Sequence, residues 1–320
     1  MANESSESSR SGRTFLDYLG ISARGFCMGV ADVVPGVSGG TMAFILGVYE
    51  ELLDAVHSVN GRFLRLLFRL RLGEALDGFP YRFLIALVAG IMAAIFSLAQ
   101  FFAWALEHHP VQVWAFFFGL VLASIIAVRG KVSAWTATEV LALLLAAATA
   151  FVLVGAVPVE TTSAAWFVFL SGAIAICAMI LPGISGSFIL VILGKYEYML
   201  NAVVQRDFLP ILIFGCGGIL GLVFFARVLR WLLRRYHDAT VAALIGLMAG
   251  SLRKIWPWKE TVETFTNSQG VTKPLIEHNV LPAAVSEDVL LAITLGIAGC
   301  AIVLVIEHLA TRRSPEKTEG

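Results

Sequence analysis

The sequence contains few charged residues. Asp, Glu, Lys and Arg make up only 14% of its 320 residues, whereas soluble globular proteins carry about a quarter. Lys plus Arg and Asp plus Glu both number 23, so the formal net charge is zero. The scarcity of charge excludes a soluble cytosolic enzyme. The balance of charge provides neither the basic surface that binds nucleic acid nor the acidic excess of a solvated disordered chain.

Signals for disulfides, metals and secretion are also missing. The cysteines lie in apolar segments and form no CxxC pair or Cys/His ligand spacing, so no metal or cofactor is predicted. Residues 1–14 are Ser-rich and lack the apolar run of a signal peptide. We expect them to be a disordered tail and residues 311–320 to be a short polar tail. The four cysteines are Cys27, Cys177, Cys216 and Cys300.

Apolar residues are abundant instead. The hydrophobic fraction is 58% and the mean hydropathy is +0.83. A helix of about 20 apolar residues spans the hydrocarbon core of a bilayer, which is about 30 Å thick. Six stretches approach that length, and they predict a polytopic, all-α membrane protein. The stretches are 83–106, 111–128, 139–157, 209–229, 239–255 and 288–309.

Two further apolar regions, 25–56 and 166–205, are interrupted by the motifs PGVSGG and PGISGS. Proline and glycine disfavour a continuous helix, so each region is predicted to form either a broken helix or a re-entrant hairpin, and the distribution of basic residues favours the hairpin. With this topology, 17 of the 23 Lys and Arg residues lie on the side of both termini. Because basic residues collect in cytoplasmic loops, both termini are expected in the cytoplasm. Arg253, Lys254 and Lys259 lie on the opposite side and do not follow this rule.

The two interrupted regions are copies of each other. Segments 35–56 and 182–203 are identical at 12 of 22 aligned positions. Each half, 15–158 and 159–310, is predicted to contain one re-entrant hairpin and three transmembrane helices. Three is an odd number, so the second half lies upside down relative to the first. An inverted repeat with interrupted helices is typical of a transporter whose binding site lies near the middle of the membrane.

The two motif loops are suited to an anion. A Pro-Gly-x-Ser-Gly loop before an apolar helix presents the free N–H groups of the helix start and a serine hydroxyl, and these groups favour phosphate. Two such loops from opposed halves are predicted to hold one phosphate between them. The alternative is that glycine and serine only permit close helix packing.

Ionisable residues near the loops have separate interpretations. Asp32 lies three residues before the first motif, and an acid inside the membrane is a candidate for function; the alternative is a helix cap. Arg24 is either a partner of the anion or a residue that extends to the lipid headgroups. Four residues are interpreted as interface anchors, with direct contact to the substrate as the alternative, because the two glutamates among them lie about 18 Å beyond the motif serines along a straight helix. These are Tyr49, Glu50, Tyr196 and Glu197.

Together with RGFCMG at 24–29, the segments ADVVPGVSGGTMAFILGVYE and CAMILPGISGSFILVILGKYE resemble the PopT family of bacterial polyprenyl-phosphate transporters. The resemblance extends over most of the chain. It implies a protein of the bacterial cytoplasmic membrane that moves undecaprenyl phosphate from the outer to the inner leaflet, for recycling in cell-wall synthesis. It also implies that the headgroup site comprises Pro35, Gly36, Ser38, Gly39, Gly40, Thr41, Pro182, Gly183, Ser185, Gly186 and Ser187.

The expected mechanism is alternating access, with the lipid tail remaining in the bilayer and a proton carried by Asp32 or by the phosphate. Two alternative functions are a membrane phosphatase and a channel for small anions. Membrane phosphatases that act on polyprenyl diphosphate have a similar PGxSRS loop, but Gly39 and Gly186 occupy the position of its arginine. Without that arginine, the loop lacks an evident stabiliser for a transferring phosphoryl group. A channel for small anions is the other rival.

Overall fold

The computed structural model describes residues 13–33, 38–59, 61–77, 79–156, 159, 161–266, 272–282, 284 and 286–312, and these are mostly helical. Most of each predicted tail therefore lies outside the described residues. The helices are α1 (Phe15–Val33), α2 (Gly39–Ile45), α3 (Tyr49–His57), α4 (Gly61–Phe68), α5 (Leu72–Leu76), α6 (Tyr81–His108), α7 (Pro110–Val128), α8 (Ala137–Val154), α9 (Ala165–Ile180), α10 (Gly186–Ile192), α11 (Tyr196–Val204), α12 (Phe208–Arg235), α13 (His237–Ser251) and α14 (Glu287–Arg312). The strands are β1 (Lys259–Thr266) and β2 (Thr272–Asn279).

The protein is a multi-pass membrane protein. Among the described residues, five helices are long and apolar enough to cross a bilayer, and they coincide with five of the six predicted stretches. The sixth stretch, 239–255, is shorter than expected. Helix α13 has only 15 residues and is followed by a turn at 252–255. The basic residues Arg253 and Lys254 lie in that turn, and Pro257 follows it.

The segment that follows each motif is bent. Helix α2 ends at a turn in which Gly47 has φ +72°, and α10 ends at a turn in which Gly194 has φ +61°. In both turns the next residue donates its N–H to the carbonyl five residues earlier, at 3.0 and 2.8 Å. This is a Schellman motif, which favours glycine because glycine adopts positive φ without a steric penalty. Helices α10 and α11 therefore meet at 107°.

The straight helix assumed from the sequence between Ser38 and Glu50 is consequently wrong. The same holds between Ser185 and Glu197. The estimate of depth that rested on twelve uninterrupted helical residues no longer applies to these glutamates.

Four helix pairs form the body of the protein. Helix α1 packs on α6 and α9 packs on α12, which are equivalent pairs within the two halves. Helix α7 packs on α14 and α13 packs on α8, which are equivalent pairs between the halves. A backbone carbonyl approaches a glycine in each pair, as small residues allow in membrane proteins. The glycines are Gly90, Gly217, Gly119 and Gly246.

A β-hairpin, which the sequence analysis did not anticipate, joins α13 to α14. Strands β1 and β2 pair antiparallel from Lys259–Asn279 to Thr266–Thr272, with irregularities near Glu263. The hairpin lies in the second half, and the equivalent connection in the first half is a single 3₁₀ turn at Arg129–Lys131. Its base is attached to the helices, since Asn279 Nδ2 donates to Arg253 O at 2.9 Å.

Candidate functional site

The first motif loop is closed by side chains of its own half. Ser38 has an extended backbone and its Oγ accepts the N–H of Gly40 at 3.1 Å, which is a helix N-cap. Asp32 Oδ1 accepts the N–H of Gly39 at 2.7 Å. The first two N–H groups of α2 are therefore satisfied within the protein. Pro35 and Gly36, which were predicted to belong to the site, lie outside the described residues.

The two motif loops contact each other directly. Ser38 Oγ lies 3.3 Å from Met179 O and 3.4 Å from Leu181 O, both at the end of α9. In return, the N–H of Gly183 donates to Thr41 Oγ1 at 2.9 Å. The structure therefore brings the two copies of the motif together, although they are about 140 residues apart in the sequence.

This contact is tightly packed. Ser38 and Thr41 are 2% and 1% exposed, and Gly39 and Gly40 are buried. A Cβ atom on Gly40 would lie 2.6 Å from Ile180 O, so the backbones of the two loops touch at this glycine. In this conformation the junction is sealed by protein atoms, and its hydroxyl groups face backbone partners.

The second motif loop is more open than the first. Ser185 has an extended backbone and caps α10 without a side-chain hydrogen bond. Its Oγ lies 2.8 Å from Ser187 Oγ, and Ser187 is exposed. Pro182 and Gly186 are buried, and Gly183 has φ +88°. The loop thus presents two hydroxyl groups beside a short helix.

A small cavity adjoins the second loop. It is lined by Gly183, Ile184, Ser185 and Phe188, by the end of α8, and by Lys254 from the turn after α13. The Nζ atom of Lys254 lies 5.2 Å from the centre of the Phe188 ring. A cation therefore faces the second loop, and sequence reasoning had given this lysine no role.

Tyr49 occupies a different environment from the one expected. Its side chain is 2% exposed, and its hydroxyl donates to Ile180 O at 3.1 Å. Tyr49 is therefore a buried link between the two loops and not an exposed interface anchor. Its counterpart Tyr196 is 37% exposed, which agrees with a position at the surface, and Glu50 is exposed too while Glu197 is half-buried.

Arg24 lies on the exposed side of α1. It is eight residues before Asp32, or about 12 Å along a helix. Within the described part of the chain, no hydrogen bond or ion pair joins it to the motif loops. For Asp32, the structure shows the capping contact that the sequence analysis had set out as the alternative.

No local sequence pattern indicates the contacts that Tyr49 and Lys254 make. Each contacts a residue that is more than 60 positions away in the sequence: Tyr49 contacts Ile180, and Lys254 contacts Phe188. The one available hint for Lys254 was its position among basic residues on the side that is predicted to be opposite to the termini.

Comparison with known proteins identifies relatives along most of the chain. Residues 28–273 match a family model described as undecaprenyl phosphate translocase-like. A polyprenyl-phosphate transporter of Vibrio cholerae serotype O1 is 42% identical over 303 residues, which cover 93% of this chain and 98% of that protein. A polyprenyl-phosphate transporter of Staphylococcus aureus is 31% identical over 252 residues, covering 73% of this chain and 84% of that protein.

No solved structure matches the chain. The family model covers both motif loops and the turn that carries Lys254, and the two relatives are similar over most of their own lengths. The chain belongs to the undecaprenyl phosphate translocase-like family.

Proposed function

We propose that this protein transports a polyprenyl phosphate, undecaprenyl phosphate, from the outer to the inner leaflet of the bacterial cytoplasmic membrane. The observation that carries the proposal is the direct contact between the two motif loops, at Ser38 with Met179 and at Gly183 with Thr41. Two anion-binding loops from the two halves of a duplicated membrane protein meet at one place. The names of the two relatives support the same substrate.

The headgroup site consists of the residues of both loops, and the two loops have different tasks in the proposal. The second loop is open beside Ser185 and Ser187, so it receives the phosphate first in the conformation described here. The first loop takes part after the loops separate, when the N–H groups of Gly39 and Gly40 become free to donate. Pro35 and Gly36 belong to the proposed site by the motif alone.

Asp32 couples transport to protons in this proposal. Its carboxylate now accepts the Gly39 N–H, which is the donor that the phosphate needs. Protonation of Asp32 weakens it as an acceptor, so the amide becomes available to the phosphate. The proton also offsets one negative charge, and moving such a charge inward costs about 2.3 kcal/mol per 100 mV. Arg24 attracts the anion from the exposed face of α1 in the same scheme.

Alternating access follows from the arrangement of the two halves. We place residues 15–158 and 159–310 in opposite orientations across the membrane, with both termini in the cytoplasm. The reciprocal pairs α7 with α14 and α13 with α8 support this, since equivalent helices exchange partners between the halves. Rocking of one half against the other opens the motif junction to each leaflet in turn. The lipid tail stays among the membrane lipids.

A transporter is favoured over a phosphatase. Gly39 and Gly186 follow the motif serines, where the phosphatase loop carries arginine, and both relatives are named as transporters. Release of inorganic phosphate from polyprenyl diphosphate by the purified protein would contradict this assignment. Movement of small anions without any lipid substrate would instead indicate a channel.

The proposal is tested by a leaflet-resolved assay in reconstituted vesicles. Wild type is compared with a Ser38→Ala, Ser185→Ala double variant and with Ser97→Ala, whose hydroxyl donates to carbonyls of its own helix. We expect the double variant to lose about tenfold in rate, since one charge-assisted hydrogen bond contributes about 1.5–3 kcal/mol when it is made to the cargo. Ser97→Ala should transport normally. Full activity in the double variant would show that the motif hydroxyls do not contact phosphate.

A further inference from the structure

A cluster of charged side chains lies between the β-hairpin and the second motif loop. Lys254 comes from the turn after α13, and its N–H donates to Ser251 O at 2.8 Å. Lys259 begins β1 and Glu277 lies in β2. We call Lys254, Lys259 and Glu277 the lysine pair cluster.

The two lysines share one carboxylate oxygen. The Nζ atoms of Lys254 and Lys259 lie 3.5 and 3.4 Å from Glu277 Oε2. Two ammonium groups and one carboxylate leave one unit of positive charge at this place. Both distances exceed the usual 2.7–2.9 Å of a strong charge-assisted hydrogen bond, so the carboxylate does not hold either lysine tightly.

The cluster is partly withdrawn from solvent. The side chain of Lys259 is 10% exposed, those of Glu277 and Lys254 are 25% and 30% exposed, and Lys259 Nζ lies 4.7 Å from the centre of the Trp114 ring. Burial lowers the pKa of the Lys259 ammonium, and Glu277 opposes that change. A site with spare positive charge and reduced hydration binds a phosphomonoester more strongly than exposed lysines do.

Lys254 connects the cluster to the second loop. It lines the same cavity as Gly183 and Ser185, and its Nζ lies over the Phe188 ring. The corresponding turn of the first half carries Lys131, whose Nζ lies 3.4 Å from Phe44 O near the far end of α2. In the second half a lysine therefore lines the same cavity as the motif serine, whereas in the first half the lysine reaches the opposite end of the short helix.

We propose that the lysine pair cluster is a receiving site for a phosphomonoester headgroup, which passes from the two ammonium groups to Ser185 and Ser187. The inference rests on the proposed function and deepens it, because it assigns the site to the side of the membrane opposite to the termini. Glu277 acts as a resident anion that pairs only loosely with the two lysines, and the phosphate displaces it. This accounts for Lys254 and Lys259, two of the three basic residues that do not follow the charge rule for orientation.

The structural alternative is that Glu277 and the lysines only attach the hairpin to the helices. The two interpretations predict different results for Glu277→Gln. If these charged side chains only attach the hairpin, removing either the lysine charges or the Glu277 charge should lower the stability of the fold. If the lysines receive phosphate, removing Glu277 removes a competing anion and strengthens binding.

The test uses the full-length protein in detergent micelles and the emission of Trp114 and its neighbours, Trp256 and Trp258, as the signal. Farnesyl phosphate is the probe, with inorganic phosphate and farnesol in parallel titrations. We expect a saturable change with farnesyl phosphate alone. The Lys254→Gln, Lys259→Gln variant should raise its Kd about tenfold or more, since charge-assisted contacts are lost. Glu277→Gln should lower the Kd.

Two matched variants control for charge and for folding. The Lys254→Arg, Lys259→Arg variant should keep the Kd close to that of wild type because the charge is retained. Arg206→Gln removes an exposed positive charge elsewhere and should leave the Kd unchanged. Thermal unfolding of each variant separates loss of binding from loss of fold.

The proposal is overturned if the lysine variants bind farnesyl phosphate normally, or if Glu277→Gln weakens binding as much as they do. Equal, lysine-dependent binding of inorganic phosphate would overturn it in favour of a site for free phosphate. Failure of the proposed function has a different result. In that case lysine-dependent binding of farnesyl phosphate persists, while the vesicle assay finds no transport of polyprenyl phosphate.

Discussion

The two motif loops share most of their sequence and differ in what surrounds them. In the first loop, Asp32 and Ser38 accept the N–H groups at the start of α2, and its described residues from Ser38 to Thr41 are buried. In the second loop, Ser185 forms no cap bond, Ser187 is exposed, and Lys254 lines the same cavity as Ser185. One loop is filled by an anion of the protein, whereas the other faces a cation.

The cause of the difference lies outside the repeated motif. Asp32 aligns with Met179 in the second half, so the carboxylate that closes the first loop has no counterpart there. The β-hairpin that carries Lys259 and Glu277 is found in the second half only, among the described residues. Two copies of one motif thus have different environments because their neighbours have diverged. The following variants test this comparison, beginning with the largest expected effect.

Gly40→Val should break the contact between the loops. Its side chain would meet the carbonyl of Ile180, and backbone cannot move aside as a flexible side chain can. We expect the free energy of unfolding to fall by about 3 kcal/mol, the upper end for overpacking, and transport to be lost. Gly73→Ala is the control, because nothing lies within 4 Å of the added carbon. Thermal unfolding and the vesicle assay measure both effects, and a stable, active Gly40→Val protein would refute the contact.

Tyr49→Phe should lower the free energy of unfolding more than Tyr196→Phe, its counterpart in the second half. Loss of the Tyr49 hydroxyl leaves Ile180 O with one partner fewer, so unfolding should become easier by about 2 kcal/mol. Tyr196 is exposed, and its variant should remain within about 0.5 kcal/mol of wild type. Chemical denaturation in detergent gives both values. Equal free energies of unfolding for the two variants would contradict the difference in burial between the two tyrosines.

Asp32→Asn should change transport without changing the fold. The asparagine oxygen can still accept the Gly39 N–H, but it carries no charge and takes up no proton at ordinary pH. We expect transport driven by a pH gradient to fall about tenfold, which corresponds to about 1.4 kcal/mol, and the unfolding curve to stay in place. Asp17→Asn, near the start of α1, is the matched control. If Asp32→Asn retains full sensitivity to the pH gradient, Asp32 does not couple transport to protons.

Ser38→Ala should mainly lower stability, whereas Ser185→Ala should mainly weaken the binding of farnesyl phosphate. Ser38 is an N-cap and also contacts α9, so its loss should cost about 1 kcal/mol of stability. Ser185 makes no cap bond, so its variant should unfold as wild type does and instead bind farnesyl phosphate less tightly. Unfolding curves and farnesyl phosphate titrations of both variants, measured in parallel, distinguish the two roles. Identical profiles would show that both serines play one role.

Much of the architecture was predictable because it depends on local composition. Runs of apolar residues predicted five helices that are long enough to cross the membrane, and the duplication predicted two related loops. The meeting of the loops was predictable as well, since the inference used symmetry between the halves. Contacts such as Ser38 with Met179 O then confirm that the loops lie together.

Other features depend on partners that are distant in sequence. The burial of Tyr49 requires Ile180 to lie beside it, and a tyrosine near a helix start has the same local pattern at a membrane surface. The breaks at Gly47 and Gly194 were missed although both glycines are identical in the repeat, because an isolated glycine is also tolerated within a helix. The hairpin was missed because its strands are polar and lie between two helices that dominate the pattern.

The hydrogen bond from Gly39 to Asp32 has a consequence for the half of the cycle in which no lipid is carried. A carrier must return empty, and an amide left bare in hydrocarbon costs several kcal/mol. In the proposed cycle, Asp32 accepts that N–H when no lipid is bound, so the unloaded protein would have no such penalty at this amide.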